Sequence, residues 1–149
     1  MKIHWLLAAA ALSMQACATP EATPKAPPLA NTSWALHAFQ SMDDAQGTTR
    51  IADPTHFTVR FSADGKAVFR LDCNRGTGSW QATPSADSNS GNLSFGPIAA
   101  TRALCPPPHF DERLARDLAH VRGYLLKDGN LYMSLMADGG VYEWRPHRD

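Results

Sequence analysis

Apolar and polar residues alternate along much of this chain, with glycine-containing breaks between the alternating runs. The clearest run is "HFTVRFSADGKAVFRLDC", from His56 to Cys73. Phe57, Val59 and Phe61 alternate with Thr58 and Arg60, Asp64-Gly65 supply turn chemistry, and Phe69 and Leu71 resume the pattern. A period of two on either side of such a break predicts an antiparallel hairpin. Extending the same phase puts the Cys73 sulfur on the inner face with Phe69 and Leu71. "NTSWALHAF", from Asn31 to Phe39, reads as a strand with Trp34 and Leu36 on one face. Gly76 and Gly78 punctuate the chain ahead of a short strand through Trp80, and "LSFGPIAATRALC" is a strand broken at Gly96 and Pro97. Ser41–Thr55 and Thr83–Asn92 are polar and read as loops. "GYLL", "NLYMSL" and "VYEW" close the chain as three strands, joined through Asp128-Gly129 and through Asp138-Gly139-Gly140.

A different period follows the block Pro106, Pro107 and Pro108. Phe110, Leu114, Leu118 and Val121 recur at helical spacing, which predicts a helix with its apolar stripe on a core. Asp111 and Glu112 lie where the helix dipole favours acid, and the spacings Glu112–Arg116 and Arg113–Asp117 suit ion pairs. The fold class is mainly β (α+β). About eight short strands and one helix before the last three strands predict a small antiparallel β-barrel or curled sheet, because closure removes exposed edges.

The first residues change the setting. "MKIHWLLAAAALSMQAC" runs from a charge at Lys2 through an apolar stretch to small and polar residues, the order of a secretory signal. Its apolar stretch is shorter than the ~20 residues needed to span a bilayer. "MQAC" resembles a bacterial lipobox, so Cys17 is the expected lipidation site. Ala18 after it favours the outer membrane. Residues 1–16 are therefore read as a lipoprotein signal peptide and 17–30 as a tether rich in Pro, Ala and Thr, too poor in apolar residues to fold alone. The folded domain is assigned to 31–146. The 14 Lys and Arg balance the 14 Asp and Glu, so electrostatic capture of nucleic acid is not expected.

In an oxidising compartment the remaining pair, Cys73 and Cys105, reads first as a disulfide. A metal site would need further ligands, and His109 alone near Cys105 leaves it incomplete. A nucleophile would need a positioned base, which nothing near Cys73 supplies. His37, His56, His109, His120 and His147 are scattered without ligand spacing, and no phosphate loop or nucleophile elbow occurs. No catalytic residue, metal or cofactor is assigned. Asn74 is expected to shape a turn. Arg102 is expected to be half-buried, in an internal polar network with Asp72 or Asp117; the alternative is a contact with an anion or ligand.

The order of "NTSWAL", "FSADGKAVFRLDCNRGTGSW", "LSFGPIAATRALC", the acidic-start helix and "NLYMSLMADGGVYEW" resembles the META domain, a family that includes HslJ-type heat-shock lipoproteins of bacterial envelopes. Its most specific parts here are Cys73-Asn74 followed by Gly78, and Thr101-Arg102 ahead of Cys105; Asp72 stands where the family often has Gly. The resemblance implies a compact β-rich domain and an envelope role in stress or antibiotic tolerance, with no catalytic residues to carry over. The expectation is a non-enzymatic, monomeric lipoprotein, lipid-anchored at the outer membrane with its domain in the periplasm and in contact with an envelope protein. The alternative is a barrel whose lumen, between Trp34, Phe57, Phe69 and Trp144, holds a small apolar ligand.

Overall fold

The computed structural model describes residues 27–148. The expected signal segment 1–16, Cys17 and the expected tether as far as residue 26 lie outside the described residues. The domain takes in a little of the expected tether: Pro27 accepts a turn hydrogen bond from the Ala30 amide, and Leu29 is fully buried in the core.

The strands are β1 (Thr32–Gln40), β2 (Thr48–Arg50), β3 (Phe57–Phe61), β4 (Lys66–Leu71), β5 (Asn74–Pro84), β6 (Ser90–Phe95), β7 (Ala99–Ala100), β8 (Val121–Lys127), β9 (Asn130–Leu135) and β10 (Val141–Pro146). Helix α1 (Phe110–Asp117) and a 3-10 turn over Leu118–His120 precede β8. Eight strands pair antiparallel in the order β1, β3, β4, β5, β6, β8, β9, β10, and β10 returns to β1 to close a barrel. The predicted fold class holds, including the helix ahead of the last three strands. Two short strands are additions: β2 lies on the far end of β1, and β7 on the free side of β5.

Local chemistry explains the closure. β1 pairs with β3 through Thr32–Ala35 and with β2 through Ala38–Gln40, while β10 lies along its other edge. The ladder with β10 shifts between Leu36 and Ala38, a bulge that bends the strand and moves its phase. Trp34 and Leu36 face the core before it, and Phe39 after it. β8 and β9 turn tightly, with Lys127 opposite Asn130 and both Asp128 (φ 53°) and Gly129 (φ 77°) left-handed. That is the turn whose twist suits a hairpin, and glycine adopts it without a Cβ penalty.

Large side chains fill the barrel. Trp144, Tyr142, Phe39, Phe61 and Phe69 are almost wholly buried. Each stabilises the fold by about 1.5–3 kcal/mol through lost apolar exposure. Phe61 meets Trp80 edge-on at 5.0 Å, and Phe39 meets Tyr142 at 4.5 Å. Helix α1 docks through fully buried Leu114, with nearly buried Leu118 just beyond its end, while the Phe110 ring stands edge-on to Phe57 at 5.7 Å. The predicted stripe is thus a core face. Its last member, Val121, belongs to β8 and not to the helix.

Several sequence expectations need correction. Ser41–Thr55 is not all loop: it holds β2 and a 3-10 turn over Pro54–His56. All three β2 residues are exposed, so the strand leaves no alternation to read. Thr83 and Pro84 belong to β5, and Ser90, Gly91 and Asn92 to β6. Gly76 and Gly78 are not turn residues but lie inside β5. A Cβ on Gly78 would come within 3.0 Å of Ile98 and 3.2 Å of the Pro97 carbonyl, and one on Gly76 within 3.1 Å of Ile98. The bare backbone lets the Pro97–Ile98 segment lie against the strand.

Candidate functional site

The turn between β4 and β5 sets the site. Leu71 opposes Asn74, so Asp72 and Cys73 alone make the turn, with Asp72 left-handed at φ 57°. Strand alternation stops there, which reverses the expected phase: Cys73 is exposed and Asn74 is buried. Cys73 does not share the inner face of Phe69 and Leu71. Its partner is as expected by residue type: Cys73 and Cys105 are joined, with sulfurs 2.02 Å and Cα atoms 5.6 Å apart. Cys105 is the buried half, 2% exposed.

Asn74 shapes more than a turn. Its Oδ1 accepts hydrogen bonds from the Ala103 amide at 2.8 Å and from the Thr101 hydroxyl at 2.9 Å. The two N–H bonds of its Nδ2 are shared among the Ala103 carbonyl at 3.0 Å, Asp111 Oδ2 at 3.1 Å and Cys105 Sγ at 3.2 Å. One buried carboxamide thus ties the start of β5 to the Thr101–Cys105 arm and to the first turn of α1. Thr101 is fixed again where its hydroxyl accepts from the Arg75 amide at 3.0 Å and its own amide donates to the Arg75 carbonyl at 2.9 Å. A buried polar group with every atom partnered rigidifies its surroundings, because any displacement strands a donor or acceptor away from water.

A recess of about 500 Å³ opens outside the barrel, between this arm, β7 and α1. Asn74 and Asp111 lie at its polar end, Leu71, Ile98, Ala100 and Ala115 form apolar wall, and Arg102, Leu104, Glu112 and Arg116 complete the rim. Arg102 departs from its expectation: it is exposed, and no carboxylate among the described residues lies within ion-pair distance. Asp72 is held by His56 at 2.9 Å, and Asp117 by Arg113 at 3.5 Å and Arg116 at 3.7 Å. Beside Arg102, Leu104 is 86% exposed on a segment whose backbone is pinned at Ala103. Asp111 is 5% exposed and its Oδ1 has no hydrogen-bond partner among the described residues. The sequence reading missed this burial, although Asp111 stands three and seven residues before Leu114 and Leu118, on their side of the helix.

A second recess of about 430 Å³ lies at the other side of α1, lined by Gln46, Arg113, Asp117, His120 and Met136 among others. There the Tyr142 hydroxyl donates to Asp117 Oδ2 at 2.7 Å, and the Arg113 guanidinium covers the Phe39 ring at 4.1 Å. Burial pushes the Tyr142 phenol well above its ordinary range, and the hydrogen bond and charge of Asp117 add to it. Among the described residues no three His, Cys, Asp or Glu side chains come together to hold a metal ion. No helix among the described residues is long and apolar enough to cross a membrane.

A family model described as the META domain matches residues 27–146. The solved structures similar to this chain include an NMR structure of a protein from Burkholderia xenovorans, 20% identical, with a TM-score of 0.61 over 92% of this chain and all of that one. A crystal structure of a DUF4847 family protein from Bacteroides vulgatus is 13% identical, with a TM-score of 0.52 over 82% of this chain and 96% of that one. At such identities the likeness is one of fold. A search of curated proteins finds no match.

Proposed function

The chain belongs to the META domain family, and from that premise we propose that it is a non-enzymatic binding protein of the bacterial envelope. In this reading a lipid on Cys17 holds the monomer at the outer membrane, and the domain meets an envelope protein in the periplasm, in the stress or antibiotic-tolerance role of HslJ-like proteins. The observation that carries the binding role is the arm Thr101–Cys105. It offers Leu104 at 86% exposure and Arg102 beside a 500 Å³ recess, on a backbone tied down by Asn74 and the disulfide. A contact surface ordered before binding loses little conformational entropy on association. Leucine and arginine next to a concave wall supply an apolar anchor and a charged rim.

The test is photo-crosslinking of the full chain in its native envelope. A photoreactive residue at position 104 should give a discrete protein adduct, whereas one at Val68, on the outer face of β4, should not. Equal labelling from both positions would defeat the reading. For the anchor, C17S should release the protein from membranes, and unchanged retention would count against lipidation.

The lumen reading has one observation in its favour. Trp144 Nε1 and the Tyr124 hydroxyl are buried polar groups without a hydrogen-bond partner among the described residues. Against it, the side chains nominated to surround a ligand are themselves the core. A small molecule co-purifying reproducibly in native mass spectrometry would favour the lumen over the arm.

A further inference from the structure

The two halves of the disulfide differ in exposure and in the hydrogen-bond donors that reach them. Cys73 stands exposed in the two-residue turn, while Cys105 lies behind it, 2% exposed. Cys105 Sγ also receives two N–H donors, the Cys73 amide at 3.3 Å and Asn74 Nδ2 at 3.2 Å. These donors would meet the charge on a departing Cys105 thiolate and offset part of the cost of burying it near the Asp111 carboxylate, which shares Asn74 Nδ2.

The charges around the turn point the same way. Arg70 and Arg75 are directly opposite across β4 and β5, an arrangement that works against strand pairing. Both guanidinium groups reach the Asp72 carbonyl, at 3.4 Å each, and Arg75 also donates to the Asn74 carbonyl at 3.1 Å. They bracket Cys73. Of the neighbouring carboxylates, Asp72 is bound to His56 at 2.9 Å, and Asp53 approaches the same ring at 3.5 Å.

We propose that the Cys73–Cys105 bridge is a thiol–disulfide exchange site, attacked at Cys73 by an external thiolate. The attacking sulfur bonds to Cys73 Sγ, the bond to Cys105 breaks, and its electron pair leaves on Cys105 Sγ as a thiolate under the two N–H donors. If the attacker is a dithiol, its second thiolate then bonds to its first sulfur and releases Cys73 as a thiolate. The dithiol is thereby oxidised by two electrons and the protein reduced by two. Because Asn74 still holds both backbone groups of Ala103, the arm stays near Cys73 and the bridge can re-form by the reverse steps.

The full chain in its folded state is treated with reduced glutathione, a monothiol that traps the first step, then acid-quenched, alkylated and mapped by mass spectrometry. Glutathione should appear on Cys73 and the alkyl group on Cys105, with Cys73 adducts in excess by at least about tenfold. R75E should slow capture of anionic glutathione by about fivefold, with little effect on uncharged mercaptoethanol. Adducts shared evenly or found chiefly on Cys105 would overturn the proposal, as would no exchange before unfolding. So would an R75E rate unchanged with glutathione, or slowed equally with both thiols.

Discussion

The carboxamide of Asn74 makes to Ala103 both hydrogen bonds that a strand neighbour would make: Oδ1 takes the amide at 2.8 Å and Nδ2 meets the carbonyl at 3.0 Å. A side chain thus substitutes for a strand where β7 has ended. N74A removes it and leaves the buried Asp111 carboxylate and the part-buried amide and carbonyl of Ala103 without this partner. The expected loss is about 2–4 kcal/mol, since each stranded buried group costs about 1–3 kcal/mol, and urea unfolding reads it directly.

N74D separates hydrogen bonding from shape. It exchanges the Nδ2 donor for an oxygen that faces Asp111 Oδ2, now 3.1 Å from Nδ2. Two carboxyl groups that close cannot both ionise, so one folded-state pKa rises. A carboxyl with a raised folded pKa gives its full stability below the unfolded value of about 4 and loses it as pH climbs through the folded one. Relative to wild type, N74D should therefore be least impaired in acid and worsen toward neutrality. A parallel pair of stability curves would refute the account.

Gly78 gives a steric test. The Cβ of G78A would lie 3.2 Å from the Pro97 carbonyl and 3.0 Å from Ile98. Overpacking of this kind costs about 1–3 kcal/mol. Adding I98A relieves the side-chain contact but not the backbone one, so the double variant should recover only part of the loss in thermal unfolding.

Tyr142 sets an alkaline limit. The phenol is buried, donates to Asp117 at 2.7 Å and has its pKa pushed up by both circumstances. A proton held more tightly when folded contributes stability that is complete below the unfolded phenol value of about 10 and declines as pH rises past it. Y142F should lose about 1.5–3 kcal/mol at neutral pH with the charged hydrogen bond, and its stability should fall less above pH ~10. Denaturant melts at neutral and alkaline pH make the comparison.

R102E and L104S should behave differently from all of these. Both residues are exposed, and neither side chain makes a hydrogen bond or ion pair with another described residue. Stability should stay within about 0.5 kcal/mol of wild type. Crosslinking from a probe at Ala103 should nevertheless drop several-fold in either variant. Unchanged adduct yield would move the contact surface elsewhere.

The architecture was legible because barrel and helix obey different periods. Phe57, Val59 and Phe61 announce one, and Leu114 and Leu118 the other. The site was less legible, for a local reason. Alternation carried through Leu71 predicted an inward Cys73, but two residues spent on the turn exchanged the faces and delivered Asn74 inward instead. Nothing in "LDCNRG" specifies that count; the ladder between Leu71 and Asn74 does. Arg102 failed differently. A cation near a buried cysteine suggested an internal pair, yet the carboxylates nominated for it already serve His56, Arg113 and Tyr142.

Closure of the barrel also fixes where the chain enters and leaves it. Trp34 in the first strand lies directly across from Pro146 at the end of the last, and the His147 amide still donates to the Ser33 carbonyl at 2.9 Å. The two ends of the domain are therefore neighbours. A few flexible residues suffice to splice them, and fresh termini cut at Asp128-Gly129 would give a circular permutant with the same eight-stranded wall. The same adjacency means that a fluorescent protein fused behind Pro146 would ride beside Thr32, at the entry to the domain.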